Sequence, residues 1–136
     1  MKCFLIDDDQ DDREIFSAAL DAADPSCQCM TAESAESALR ILDEEADYAP
    51  DFIFLDLNMP LMDGRACLAE LRKRPKIDNI TVIIYTTSSH SKDIEETRRL
   101  GASHYLVKPA SFNGLVTFLK ALLEGKNEIY EPAVQF

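Results

Sequence analysis

The sequence predicts an α/β fold: one doubly wound parallel sheet with helices on both faces. Strand-like apolar runs alternate with helix-like stretches from end to end, five of each. The third and fourth runs, Phe52-Ile53-Phe54-Leu55 and residues 80–85, are almost continuously apolar, as strands buried on both faces are. Parallel strands joined through helices cross over right-handed, which places helices on either side of the sheet.

The first run, Cys3-Phe4-Leu5-Ile6, ends in Asp7-Asp8-Asp9, and a helix follows with Ile15, Phe16, Ala19 and Leu20 on one face. A weaker strand spans 27–31. Ser34 is placed to cap the next helix, whose apolar stripe is Ala38, Leu39, Ile41 and Leu42. The Phe52–Leu55 strand leads through Asp56-Leu57-Asn58-Met59-Pro60 to a helix that starts near Gly64, turns Cys67, Leu68 and Leu71 inward and closes at Pro75. The fourth strand gives way to Thr86-Thr87-Ser88-Ser89. Residues 91–100 read as a helix stopped by Gly101, with Ile94 and Leu100 as its only large aliphatics. Tyr105-Leu106-Val107 makes the fifth strand and ends at Lys108-Pro109. In the last helix Phe112, Leu115, Val116, Leu119, Leu122 and Leu123 keep i, i+3, i+4 spacing up to Gly125. Residues 1–125 therefore form one domain, and 126–136 read as a tail without order of its own.

With 136 residues, one core of normal size is expected. The net charge of −11 argues against a nucleic-acid surface, which needs a basic patch to displace counterions. No run approaches the ~20 apolar residues of a membrane span, and no signal peptide is evident. The cysteines (Cys3, Cys27, Cys29, Cys67) lack the paired spacing of a zinc site and read as small hydrophobes of a cytoplasmic protein. His90 and His104 fall in a loop and just before a strand, and read as surface or packing residues.

The chemistry gathers at strand ends. Asp7-Asp8, Asp56, Thr86 and Lys108 each close a different strand. In an open parallel sheet those carboxyl ends share the edge where ligands bind. Three carboxylates brought together repel one another unless a cation intervenes. A hard divalent ion such as Mg²⁺ takes a few carboxylates, waters and a phosphoryl oxygen. An aspartate backed by a metal, a lysine and a hydroxyl is equipped to accept a phosphoryl group.

In the order and spacing of these motifs, with Gly64, Gly101-Ala102-Ser103 and Tyr105-Leu106-Val107-Lys108-Pro109, the chain resembles the receiver domain of two-component response regulators, of the single-domain CheY-like kind. The resemblance covers about residues 2–124. It implies a flavodoxin-like sheet of strand order 2-1-3-4-5. It also implies that Asp56 is the phosphoacceptor, attacking a phosphohistidine of a sensor histidine kinase or phosphotransfer protein. Asp8 would hold Mg²⁺ (or Mn²⁺) directly and Asp7 through water or a hydrogen bond, with Asp56 and the Asn58 carbonyl completing the set. Lys108 would pair with the aspartyl phosphate, Thr86 would swing toward it, and Tyr105 would turn inward as an aromatic switch. Thr86 rather than Thr87 takes that part, because it stands 22 residues before Lys108, the family's usual interval. The 91–100 helix, with little apolar surface to anchor it, is expected to shift easily. The face it forms with the fifth strand and last helix is the expected signalling surface for a downstream protein.

Other readings fit less well. A haloacid-dehalogenase-type phosphohydrolase would use Asp7 as nucleophile, but its closing acidic pair is missing, since nothing acidic follows Lys108 until Glu124. A calcium loop through Asp7, Asp9 and Asp11 fails at its sixth position, Asp12, and its twelfth, Ala18. A phosphorylation-independent interaction module on the same fold has the chemical residues against it. No output domain is expected after residue 125, and the expected role is a signalling protein that catalyses only its own phosphorylation and dephosphorylation. A homodimer through the signalling face, or through the tail's Ile129, Tyr130, Val134 and Phe136, stays open at this stage.

Overall fold

The computed structural model describes residues 1–125 and 133–136. In chain order the elements are β1 (Lys2–Ile6), α1 (Gln10–Ala23), β2 (Gln28–Ala32), α2 (Ala35–Glu44), β3 (Phe52–Leu55), α3 (Gly64–Arg72), β4 (Thr81–Thr86), α4 (Ser91–Arg99), β5 (His104–Val107), α5 (Phe112–Leu123) and β6 (Ala133–Gln135). The first five strands are parallel in the order 2-1-3-4-5. To these the structure adds β6, antiparallel at the β5 edge, with Val134 opposite Tyr105 and the Phe136 amide donating to the Ser103 carbonyl at 3.0 Å. The end of the tail is thus ordered on its own domain, contrary to expectation. Its Ile129 and Tyr130 lie outside the described residues.

Alternation along each strand divides the core in two. Phe4, Ile6, Ile53, Leu55, Val82 and Ile84 face α2, α3 and α4, whereas Cys3, Leu5, Phe54, Ile83 and Tyr85 face α1 and α5. All eleven are buried, as the unbroken apolar runs of β3 and β4 required. Ring packing of Phe16 against Phe54 and Tyr85 locks α1 over the sheet.

The helices start where short polar side chains cap them. Asp9 accepts from the Asp12 amide, Ser34 from Ser37, Asp63 from Ala66 and Ser111 from Gly114. α3 stops at Arg72 rather than running to Pro75. Arg72 turns back to donate to the carbonyls of Ile77, Ile80 and Gly101, tying the loop before β4 to the turn before β5. α4 begins at His90 without a side-chain cap. Two residues assigned to apolar faces, Ile15 and Phe112, are instead exposed. Cys29 is exposed as well, whereas Cys3 and Cys67 are buried. Among the described residues, no helix is long and apolar enough to cross a membrane.

Candidate functional site

The sheet ladder itself places the site residues, because each sits one rung beyond its strand. The Asp7 amide donates to the Ala32 carbonyl, the Asp56 amide to Ile6 and the Lys108 amide to Thr86, at 3.1, 3.0 and 2.7 Å. Hydrogen bonds that hold the strands in register therefore also fix where these side chains leave the core. The structure brings Asp7, Asp8, Asp56, Asn58 and Lys108 together, while Thr86 and Tyr105 lie buried behind the cleft. Carboxylate oxygens of Asp7, Asp8 and Asp56 lie within 4.8 Å of one another. Asp8, Asp12, Asp56, Asn58, Thr87 and Lys108 line one open cleft of about 640 Å³.

Lys108 is the positive charge of this cluster. Its Nζ stands 2.7 Å from Asp12, 2.9 Å from Asp7 and 3.5 Å from Asp56, and its side chain is only 11% exposed. The same ammonium lies over the Tyr85 ring, 5.2 Å from its centroid. Burial alone would push its pKa down. The carboxylates of Asp12, Asp7 and Asp56 outweigh that and hold it above the ordinary lysine value.

The two buried carboxylates behave differently from solvated ones. Burial raises the Asp56 pKa above 3.8, against the pull of the Lys108 charge, the Thr86 hydroxyl and the amides of Asn58 and Leu57. Asp7 is raised for the same reason, against its hydrogen bond from Lys108. Both shifts come from burial, while the surplus of negative charge is geometric: Asp7, Asp8, Asp12 and Asp56 gather around one lysine. Oxygen-only donors in surplus are the ligand set of a hard divalent cation, and these residues fit one.

The positions of the two first-strand aspartates divide their work. Asp7 is fully buried, and both of its oxygens are taken, Oδ1 by the Asp9 amide and Oδ2 by Lys108. Arg13 holds its backbone carbonyl at 2.9 Å. Asp8 is exposed at the cleft, as is Asn58. Asp56 is 6% exposed as a residue and opens onto the cleft.

Thr86 closes β4, wholly buried, with the Ser88 amide 3.5 Å from its Oγ1. Thr87 lies exposed on the rim. Tyr105 is buried too, its hydroxyl donating to the Ser88 carbonyl at 2.8 Å. Gly64 is required by close approach. A Cβ there would stand 2.2 Å from the Asp56 carbonyl oxygen, so only glycine lets α3 start against the end of β3.

Sequence reasoning missed Asp12, an equal partner of Lys108. Its place one turn into α1, three residues after the capping Asp9, was the available signal. It also missed Arg65, which joins α3 to Asp93 and Glu96 of α4.

An acidic cleft at the carboxyl edge of a 2-1-3-4-5 sheet, with a lysine 3.5 Å from the third-strand aspartate, is the arrangement expected of a receiver domain. Residues 3–120 match the family model described as response regulator receiver domain, and the chain belongs to that family. The response regulator Rcp1 of Synechocystis is 26% identical over 87% of this chain and 83% of its own length. PhoB of Pseudomonas aeruginosa is 33% identical over 88% of this chain, which spans only half of that regulator. The structure superposes on the phosphorylated cyanobacterial phytochrome response regulator RcpA with a TM-score of 0.79 at 32% identity, covering 90% of this chain and 91% of that one. The Mn²⁺-bound form of Rcp1 gives 0.77 at 26% identity, covering 89% and 90%.

Proposed function

We propose that Asp56 accepts a phosphoryl group from a phosphohistidine of a sensor kinase or phosphotransfer protein, in a Mg²⁺-dependent reaction, and that the product is read out through the α4–β5–α5 face. The observation that carries this reading is the Asp56 carboxylate at the mouth of the cleft, with Asp7 and Asp8 beside it and Lys108 3.5 Å away. A carboxylate oxygen of Asp56 attacks phosphorus, the P–N bond to imidazole breaks, and an acyl phosphate forms. The carboxylates of Asp8 and Asp56, with the Asn58 carbonyl, would hold Mg²⁺ directly and Asp7 through water or a hydrogen bond, and the ion would supply charge neutralisation for the incoming phosphoryl oxygens. Without that charge the acidic cleft repels its own substrate.

Lys108 is placed to follow the new negative charge, exchanging part of its contact with Asp7 and Asp12 for a phosphoryl oxygen. The Thr86 hydroxyl donates from the neighbouring strand end. Asp7, enclosed and with both oxygens already bonded, is poorly placed as a nucleophile, which favours this reading over a phosphohydrolase. RcpA in its phosphorylated form and Rcp1 with Mn²⁺ are similar chains and support the chemistry. The chain's own catalysis is limited to gaining and losing this phosphate, and a protein downstream receives the signal.

Acetyl phosphate with Mg²⁺ should add the mass of one phosphoryl group, lost in Asp56→Asn and in the presence of a chelator. Persistence of the adduct in Asp56→Asn, with its loss in Asp7→Asn, would refute the assignment.

A further inference from the structure

Apolar packing does little to place α4. Thr97 is its only fully buried residue, and the Thr97 hydroxyl turns back to the Asp93 and Ile94 carbonyls of its own helix. What α4 does have is Arg65. From the first turn of α3, this side chain donates through Nε to Glu96 at 2.8 Å and through Nη2 to Asp93, with Asp63 3.7 Å away on its other side. The other oxygen of Asp93 accepts from the Ser88 hydroxyl at 2.5 Å.

Ser88 is the branch point. Its carbonyl receives the Tyr105 hydroxyl, and its amide faces Thr86 Oγ1. At the other end, Arg65 follows Gly64, whose amide donates to the Leu57 carbonyl at 2.9 Å and whose Cα rests on the Asp56 backbone. A continuous line of contacts therefore runs from the Asp56 loop through Arg65 and Asp93 to Ser88, and from there to both Thr86 and Tyr105.

We propose that Arg65 is a positioning residue that, through Asp93 and Ser88, sets the Thr86 hydroxyl and the Tyr105 ring and so couples the Asp56 loop to the α4–β5–α5 face. The inference rests on Asp56 being the phosphoacceptor. Its physical basis is that a planar guanidinium holds two acceptors in fixed directions, which a flexible point charge does not. The side chains of Arg65 and Asp93 are 28% and 18% exposed, so the pair is open to screening by salt. Remote coupling should weaken as salt rises, while the deeper Asp56 site is less affected.

The test compares wild type, Arg65→Ala, Arg65→Lys and Asp93→Asn by backbone amide shifts with and without beryllofluoride and Mg²⁺. In Arg65→Ala, residues 54–58 should keep their response, while the response of residues 93–108 falls to less than about half. Arg65→Lys should recover part of it. Asp93→Asn leaves the Arg65–Glu96 contact in place and should decouple in the same way, which guards against an Arg65→Ala chain that folds poorly. A full response at 93–108 in both Arg65→Ala and Asp93→Asn overturns the role of Arg65 alone. No response anywhere in wild type overturns the phosphoacceptor reading and this inference with it.

Discussion

Replacing Gly64 with alanine tests the geometry of the site at its tightest point. The added methyl would meet the Asp56 carbonyl oxygen at 2.2 Å, the Leu57 Cα at 2.7 Å and the Asp56 carbonyl carbon at 2.9 Å. Comfortable contact begins near ~3.5 Å, so the overlap exceeds about 1 Å, and every atom met is backbone. No side chain can rotate away; the end of β3 or the start of α3 must move. Overpacking of this kind costs about 1–3 kcal/mol. For a domain of this size each kcal/mol lowers Tm by about 4 °C, giving a fall of roughly 4–12 °C. The backbone that moves carries the Asp56 carboxylate, and a misplacement of ~1 Å at a reacting centre can cost ~100-fold in rate. Gly114→Ala is the control. Its Cβ would meet the Ser111 hydroxyl at 3.0 Å and the Pro109 side chain at 3.5 Å, and the helix favours alanine by about 0.5–1 kcal/mol. Thermal unfolding and the acetyl phosphate labelling rate measure both effects. A Gly64→Ala protein that melts within about 1 °C of wild type and labels at its rate would refute the reasoning.

The raised carboxyls give a pH signature. Because the folded pKa of Asp56 lies above its unfolded value, the folded chain holds more protons in between, and stability drains away as pH rises from about 4 through the raised value. Asp56→Asn escapes that loss, so its stability relative to metal-free wild type should grow over this range in urea unfolding, and Mg²⁺ should narrow the gap. Lys108→Met leaves Asp7, Asp12 and Asp56 without their shared cation and should cost about 3–5 kcal/mol at pH 7. The cost should shrink as pH falls and Asp7 and Asp56, whose pKa values burial raises, take up protons, and a Tm series across pH with and without Mg²⁺ reads it. Truncation after Gly125 removes β6 and should speed hydrogen exchange at residues 103–106, while exchange in β1 and β3 stays unchanged.

What was legible in the sequence follows the sheet. Continuous apolar runs located β3 and β4, and the edge shared by parallel strands then brought Asp7, Asp8, Asp56, Thr86 and Lys108 together without any side-chain detail. The aliphatic stripe of α2 and the caps at Ser34 and Gly101 were equally readable, because they are local. Arg65–Asp93 was not, since a pair between two helices depends on how each is set down on the sheet. Asp12 needed the pitch of α1 relative to Lys108. β6 carries no period of its own in three residues, and its register comes from β5. The easy mobility expected of α4 was inferred from its apolar face alone, which left out the ion pairs that hold it.

The sixth strand also changes what the molecule shows to its neighbours in solution. A parallel sheet ending at β5 would offer a free row of amides and carbonyls beside Tyr105 and Leu106, the kind of template on which chains stack into aggregates. β6 covers that row and replaces it with an edge only three residues long, running in the opposite direction. Short edges recruit further strands poorly. Residues 133–135 thus shield that edge, and their removal should first appear as a lower concentration at which the protein stays in solution.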